Sequence, residues 1–203
     1  MTEKIGNTNL NKYITIVLVI AIVAAVGIYA YTNFVEKEPP KSDNTTPPIV
    51  EPENTLLTIR VGSQLYNYSL NDLITLDNVT EQGSYINQKG KLTGPNNYTG
   101  VALSVLLSTI PSLPTNYSFY AIASDGVGQN YSIDELNGHV AIFNESRVEI
   151  RTGNLTMIVA YKQNDVFLNE TTKGPLRIAF VDTESAITDS GLWLGYLVKI
   201  ELL

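Results

Sequence analysis

No cysteine occurs among the 203 residues. Whatever this chain folds into must hold through packing and hydrogen bonding alone, without a disulfide framework and without a thiolate to ligate a soft metal. That demand falls on one stretch. The 148 residues from Leu56 to Leu203 lie well inside the size range in which a single domain buries a core of its own.

The sequence ahead of that stretch is organised differently. Ile14 to Ala30 (ITIVLVIAIVAAVGIYA) is 17 residues without a charge; at 1.5 Å per residue it reaches roughly 26 Å, near the lower limit for a bilayer. Tyr13, Tyr29, Tyr31 and Phe34 stand at its margins, where amphipathic rings favour a membrane interface. Lys4 and Lys12 precede it, and Glu36 and Glu38 follow with a single Lys37. We therefore expect a cytoplasmic tail over 1–12, a transmembrane anchor over 13–34, and everything beyond it outside the cell. A cleaved signal peptide is the competing reading, although Ile28-Tyr29-Ala30 makes a poor cleavage site. Residues 35–55 read as a proline-rich extracellular linker: from Glu36 to Thr55 the chain carries five prolines and few apolar side chains, a composition that favours an extended spacer.

Glycosylation sequons agree with that orientation. Asn-x-Ser/Thr begins at Asn44, Asn67, Asn78, Asn97, Asn116, Asn130, Asn144, Asn154 and Asn169, and none of the nine precedes the apolar run. N-glycosylation modifies secreted surfaces, so a membrane-anchored glycoprotein is expected. The net charge is −7, from 13 Lys and Arg against 20 Asp and Glu. With no basic run, nucleic acid is not an expected partner; the acidity serves solubility instead. The expected partners are the membrane, through the N-terminal helix, and a small molecule or envelope protein that the sequence does not identify.

Within the body, Leu57, Ile59 and Val61 alternate with polar residues as a half-buried strand does. Further strands are expected at Tyr117–Ala123, Ala141–Phe143, Leu155–Tyr161, Leu176–Val181 and Trp193–Leu202. Ser69 and Ser132 stand where they can cap short helices, and Leu103, Leu106, Leu107 and Ile110 recur at helical spacing before Pro111. Thr80 to Gly100, polar and holding four glycines, reads as a long loop. The count indicates an α+β domain dominated by sheet. His139 is the one histidine, and zinc or acid–base chemistry needs partners it lacks. Asp182, Glu184 and Asp189 fit no established calcium-loop spacing, so no metal site is expected, and no catalytic residue is assigned. Trp193 reads as core.

Several segments carry a resemblance. Tyr98-Thr99-Gly100-Val101-Ala102-Leu103, Ala123-Ser124-Asp125-Gly126, Val159-Ala160-Tyr161, Gly174-Pro175-Leu176-Arg177 and Gly191-Leu192-Trp193 occur in this order. Together they are similar to the oxidoreductase molybdopterin-binding domain of the sulfite oxidase family. The resemblance implies that fold, with a molybdenum-ligating cysteine between Ser84 and Gly94, where this chain offers Ser84, Tyr85, Asn87, Gln88 and Lys89. Of three cofactor contacts it implies, Arg177 matches an arginine, while Thr172 replaces a histidine and Gly195 a lysine. The body itself carries 9 Lys and Arg against 14 Asp and Glu, a net of 9 − 14 = −5. The glycine-rich Gly83–Pro95 stretch resembles that of cysteine-free, mostly archaeal and bacterial surface members of the superfamily. The expectation is the fold without its molybdopterin, acting as a ligand-binding or envelope module. Its candidate pocket is Ser84, Tyr85, Lys89, Asp125 and Arg177. The alternatives are an active molybdopterin-dependent oxidoreductase using an oxygen ligand, or a subunit of a membrane complex. Arg177 is equally readable as an ion-pairing residue at a strand edge.

Overall fold

The computed structural model describes residues 54–111, 113–114 and 117–202. The apolar run, the expected linker up to Glu53, Asn44 and Asn116 lie outside the described residues, among which no helix is long and apolar enough to cross a membrane; Thr55, the linker's expected last residue, already belongs to the first strand. The described chain is dominated by sheet, as its alternation indicates. In order it forms β1 (Thr55–Val61), β2 (Gln64–Ser69), α1 (Leu70–Thr75), β3 (Asn78–Ile86), β4 (Leu92–Ala102), α2 (Leu103–Ser108) and β5 (Phe119–Ala123). Then follow β6 (Gly128–Tyr131), α3 (Ile133–Leu136), β7 (His139–Phe143), β8 (Glu149–Asn154), β9 (Thr156–Gln163), β10 (Val166–Phe167), β11 (Arg177–Val181), β12 (Ile187–Asp189) and β13 (Leu197–Leu202). Single 3₁₀ turns occupy Glu170–Thr172 and Ser190–Leu192.

Two sheets enclose the main core. One has the strand order β2-β1-β13-β5-β6, with β1 and β13 parallel; the other runs β10-β9-β4-β3-β12-β7-β8, with β11 added on β9. Leu57, Ile59, Phe119 and Ile200 of the first sheet pack with Val159, Ile178 and Phe180 of the second, and Leu103, Leu106 and Leu107 of α2 join them. Each such side chain gains about 1.5–3 kcal/mol from leaving water. Ser69 and Ser132 close capping boxes with Asp72 and Glu135, worth about 1 kcal/mol each.

The expected loop from Thr80 to Gly100 is instead the β3–β4 hairpin, paired from Asn78↔Val101 to Ile86↔Leu92. Its glycines mark close approach, not slack. A Cβ on Gly83 would stand 2.8 Å from both the Phe180 carbonyl oxygen and the Trp193 ring, and one on Gly100 would stand 2.6 Å from Ala160 Cα and closer still to the Val159 carbonyl oxygen. Only the tip is a turn, in which Asn87 Oδ1 accepts from the Lys89 and Lys91 N–H groups. Trp193 likewise departs from the expected strand, which begins at Leu197.

β3, β4, β9 and β11 form a ring. β3 pairs β4, β4 pairs β9 and β9 pairs β11. The ring closes where Gln82 of β3 and Asp182, just beyond β11, exchange two backbone hydrogen bonds of 3.1 and 2.9 Å. All five residues of β11 are buried, because it faces two cores: Ile178 and Phe180 point to the main one, while Ala179 and Val181 join Tyr98, Ile158, Ala160 and Leu168 in a second, smaller core.

Tyr131 ties the main core together. Its ring stacks on Phe119 with centroids 5.0 Å apart, and its hydroxyl donates to the Leu192 carbonyl at 2.9 Å. Burial pushes this hydroxyl far above the ordinary tyrosine range. The folded chain thus keeps a proton that the unfolded chain releases above pH about 10, so this contribution is complete below that pH and falls as pH rises past it. A melting-temperature profile should decline above pH about 10, less steeply in Tyr131→Phe, and that variant should lose about 1 kcal/mol at neutral pH.

Candidate functional site

Arg177 opens β11, and its backbone pairs with Ala160. The side chain is 4% exposed and lies at the end of the second core. Three aromatic rings surround its guanidinium carbon, at 5.0 Å from the Trp193 centroid, 5.4 Å from Tyr98 and 5.8 Å from Tyr85. Among the described residues no carboxylate pairs with it, and none accepts a hydrogen bond from it. Its Nε is sealed from solvent without an acceptor, and the two terminal nitrogens are the part of the group left unsealed.

Burying a cation costs several kcal/mol. Cation–π contact returns about 0.5–2 kcal/mol, depending on desolvation, which leaves the electrostatic demand of this guanidinium unmet among the described residues. A guanidinium left in this state can meet a small anion through two parallel N–H donors.

The cage is held from behind. Trp193 Nε1 donates to Thr188 Oγ1 at 2.8 Å, and that hydroxyl donates onward to the Ser84 carbonyl at 3.3 Å. The Ile178 N–H donates to the Leu194 carbonyl at 2.8 Å and fixes the segment carrying Trp193 to β11. Tyr85 and Trp193 centroids are 4.9 Å apart, and Tyr98 and Trp193 are 5.2 Å apart. Burial raises the Tyr98 hydroxyl above its ordinary pKa, the nearby Arg177 charge opposing; it stays protonated at neutral pH.

Of the five expected pocket residues, Tyr85 and Arg177 come together. Ser84 is buried one position before Tyr85, with its carbonyl in the Thr188 chain. Lys89 is exposed at the hairpin tip, where it lines a cleft of about 340 Å³ with Asp189, Ser190 and Gly191. Asp125 sits in the β5–β6 turn of the other sheet, accepting the Val127 N–H at 3.0 Å, and no contact links it to Arg177. Gly195 lies against Lys173, whose Cβ would be 2.6 Å from a Cβ there. Arg177 heads β11, which pairs with β9, and among the described residues it forms no ion pair, contrary to the ion-pairing expectation. Tyr98 and Trp193, which complete the cage, are absent from the sequence-derived set.

The acids of the 182–189 segment go separate ways: Asp182 accepts the Glu184 and Ala186 N–H groups, Glu184 pairs with Arg151 at 3.3 Å, and Asp189 pairs with Arg147 and accepts the Gly191 N–H. Among the described residues, no three His, Asp or Glu side chains group as metal ligands would. A molybdopterin fits this donor set poorly. Arg177 suits an anionic group, but the Ser84–Gly94 segment supplies only oxygen and nitrogen donors where a soft thiolate is needed.

No protein-family model matches the chain, and no curated protein matches it. Solved structures do. The chain is similar to a chain of the sulfane dehydrogenase SoxCD from Paracoccus pantotrophus, with 15% identity and a TM-score of 0.50 over 72% of this chain and 37% of that one. At that identity the likeness shows a shared fold alone, and this chain spans little more than a third of the length of that structure's chain.

Proposed function

We propose that the chain is a membrane-anchored, extracellular, glycosylated module with the molybdopterin-oxidoreductase (sulfite oxidase) fold, and that it binds an anionic small molecule or an anionic group of an envelope partner at Arg177. One observation carries the reading: a guanidinium 4% exposed, ringed by three aromatic side chains and lacking any anionic partner among the described residues. The order of the motifs from Tyr98 to Trp193 and the fold-level likeness to a sulfane dehydrogenase support the fold assignment. The sequons and the apolar run support the anchored, external placement. Among the described sequons Asn78, Asn97, Asn130, Asn144, Asn154 and Asn169 are exposed, and Asn67 is half-buried.

Trp193 is the only tryptophan of the chain and lies on the guanidinium, so its fluorescence reports on the site. Titration of full-length protein in detergent with phosphate, sulfate and acetate should give a saturable change with at least one of them. Arg177→Met should abolish it. A response that persists in the variant, or none in the wild type, would overturn the binding role. The redox alternative, with Ser84 or Tyr85 as an oxygen ligand, requires stoichiometric molybdenum in protein purified from its own host; elemental analysis is expected to find none.

A further inference from the structure

The five-stranded sheet has one face on the main core. The other carries two cross-strand rows that the register fixes: Asn67, Thr58, Lys199, Ile122 and Gly128 in one, and Leu65, Arg60, Glu201, Tyr120 and Asn130 in the next. No described helix or strand covers this outer face. Leu65 is 44% exposed, and with Leu56 and Val198 it lines a cleft of about 390 Å³ there.

Each row ends on a sequon asparagine, at opposite edges of the sheet. The two edges repeat one local device. Asn67-Tyr68-Ser69 ends β2 and Asn130-Tyr131-Ser132 ends β6, and in both the serine caps the helix that follows through a capping box. The alternation of a strand sends the middle tyrosine inward and the asparagine outward: Tyr131 is fully buried and Asn130 is exposed.

Tyr120 stands directly opposite Asn130, where Cβ atoms are about 4.5–5.5 Å apart. Its ring lies along β6 over Gly128, so that a Cβ on Gly128 would fall 2.6 Å from Tyr120 Cε2 and nearer still to the hydroxyl. The glycine leaves room for the ring, which starts opposite Asn130, leans along β6 and stays half-buried, its hydroxyl making no hydrogen bond within the described residues. A half-exposed ring whose Cα stands opposite an attachment point suits the apolar C–H face of a pyranose, which stacks on aromatic surface while its hydroxyls stay in water.

We infer that the occupant of this sheet face is the chain's own carbohydrate: an N-glycan on Asn130 packs its first sugars on Tyr120, and the equivalent glycan on Asn67 extends over the face from the opposite edge. The inference rests on the glycosylation reading above. It gives exposed Leu65 and the half-buried Leu56, Ile122 and Val198 around it a cover that needs no protein partner, and it makes those glycans part of the fold's stability.

Full-length protein from its own host should be compared as wild type, Asn130→Gln, Tyr120→Thr and the double variant, with glycopeptide mass spectrometry and melting temperature read on each. Asn130→Gln is the usable sequon knock-out, because Ser132 is also a helix cap. Asn130 should be occupied. Its loss should lower the melting temperature by about 2–4 °C, and the same loss should have less than half that effect in the Tyr120→Thr background. An unoccupied Asn130 would defeat the glycosylation reading at this site. An occupied Asn130 whose loss acts equally in both backgrounds would defeat the packing inference alone. Should Tyr120→Thr fail to fold, hydrogen exchange of β5 and β6 amides in wild type and Asn130→Gln decides. Protection that falls in the variant supports packing, and unchanged protection overturns it.

Discussion

Arg177→Met is expected to make the protein more stable while removing its response to anions. The wild-type side chain holds a charge in a site 4% exposed, with three aromatic rings and, among the described residues, no carboxylate around it. Methionine fills a similar volume, stacks well against aromatic edges and carries no charge to desolvate. Replacing buried charge with well-packed apolar atoms is often neutral or stabilising by about 1–4 kcal/mol. The loss of cation–π contact subtracts from that, so a net gain of about 1 kcal/mol is expected, read as an upward shift of about 2–4 °C in melting temperature. A structural arginine behaves oppositely: removing one partner of a buried ion pair costs about 3–5 kcal/mol. Thermal denaturation of the two proteins without added anion separates these cases. Stabilisation joined to lost binding is the signature of a residue kept for a ligand.

Gly100→Ala is expected to be among the most damaging single changes in the chain. Gly100 lies in β4 opposite Ala160 of β9, and a Cβ there would stand 2.6 Å from Ala160 Cα and closer to the Val159 carbonyl. Both obstacles are backbone, so no side chain can turn aside. Relief requires β4 and β9 to separate, which opens the ring formed by β3, β4, β9 and β11 and loosens Tyr98, a wall of the Arg177 cage. Overpacking commonly costs about 1–3 kcal/mol, and a clash with fixed strands belongs in the upper tail of single-mutant effects, at about 4 kcal/mol or more. Urea denaturation should show the midpoint collapsing. Gly90→Ala, at the hairpin tip where a Cβ meets nothing within 4 Å but φ is +76°, should cost about 1 kcal/mol.

These two residues also show what the sequence discloses. Strands that alternate cleanly, such as Leu57 to Val61, or that form a continuous apolar run, such as Leu155 to Tyr161, are legible because one periodicity dominates. β8 (Glu149–Asn154) is not, since five of its six residues are exposed at a sheet edge and nothing in its pattern is enforced by a core. The Thr80–Gly100 segment misleads for another reason. Glycine signals a turn when it supplies backbone freedom and a tight strand contact when it supplies space, and only the packed structure separates Gly90 from Gly83 and Gly100.

The candidate site divides in the same way. Arg177 stands in a recognisable motif and Tyr85 in the segment expected to face it, so both are found. Trp193 and Tyr98 stand in motifs as well but are missed, because their contact with Arg177 joins β4, β11 and the segment after the Ser190–Leu192 turn and leaves no local pattern. Lys89 and Asp125 carry charge close to a motif in the chain, but the fold places them at a hairpin tip and in a turn of the other sheet.

The most direct test is a crystal structure of the protein grown with selenate, whose selenium is located by its anomalous signal. A peak should appear within hydrogen-bonding distance of the Arg177 terminal nitrogens, beside Trp193 and Tyr85, and should vanish in Arg177→Met. Selenate found only at surface lysines such as Lys89, with the Arg177 cage closed to it, would contradict the assignment of that cage as an anion receptor.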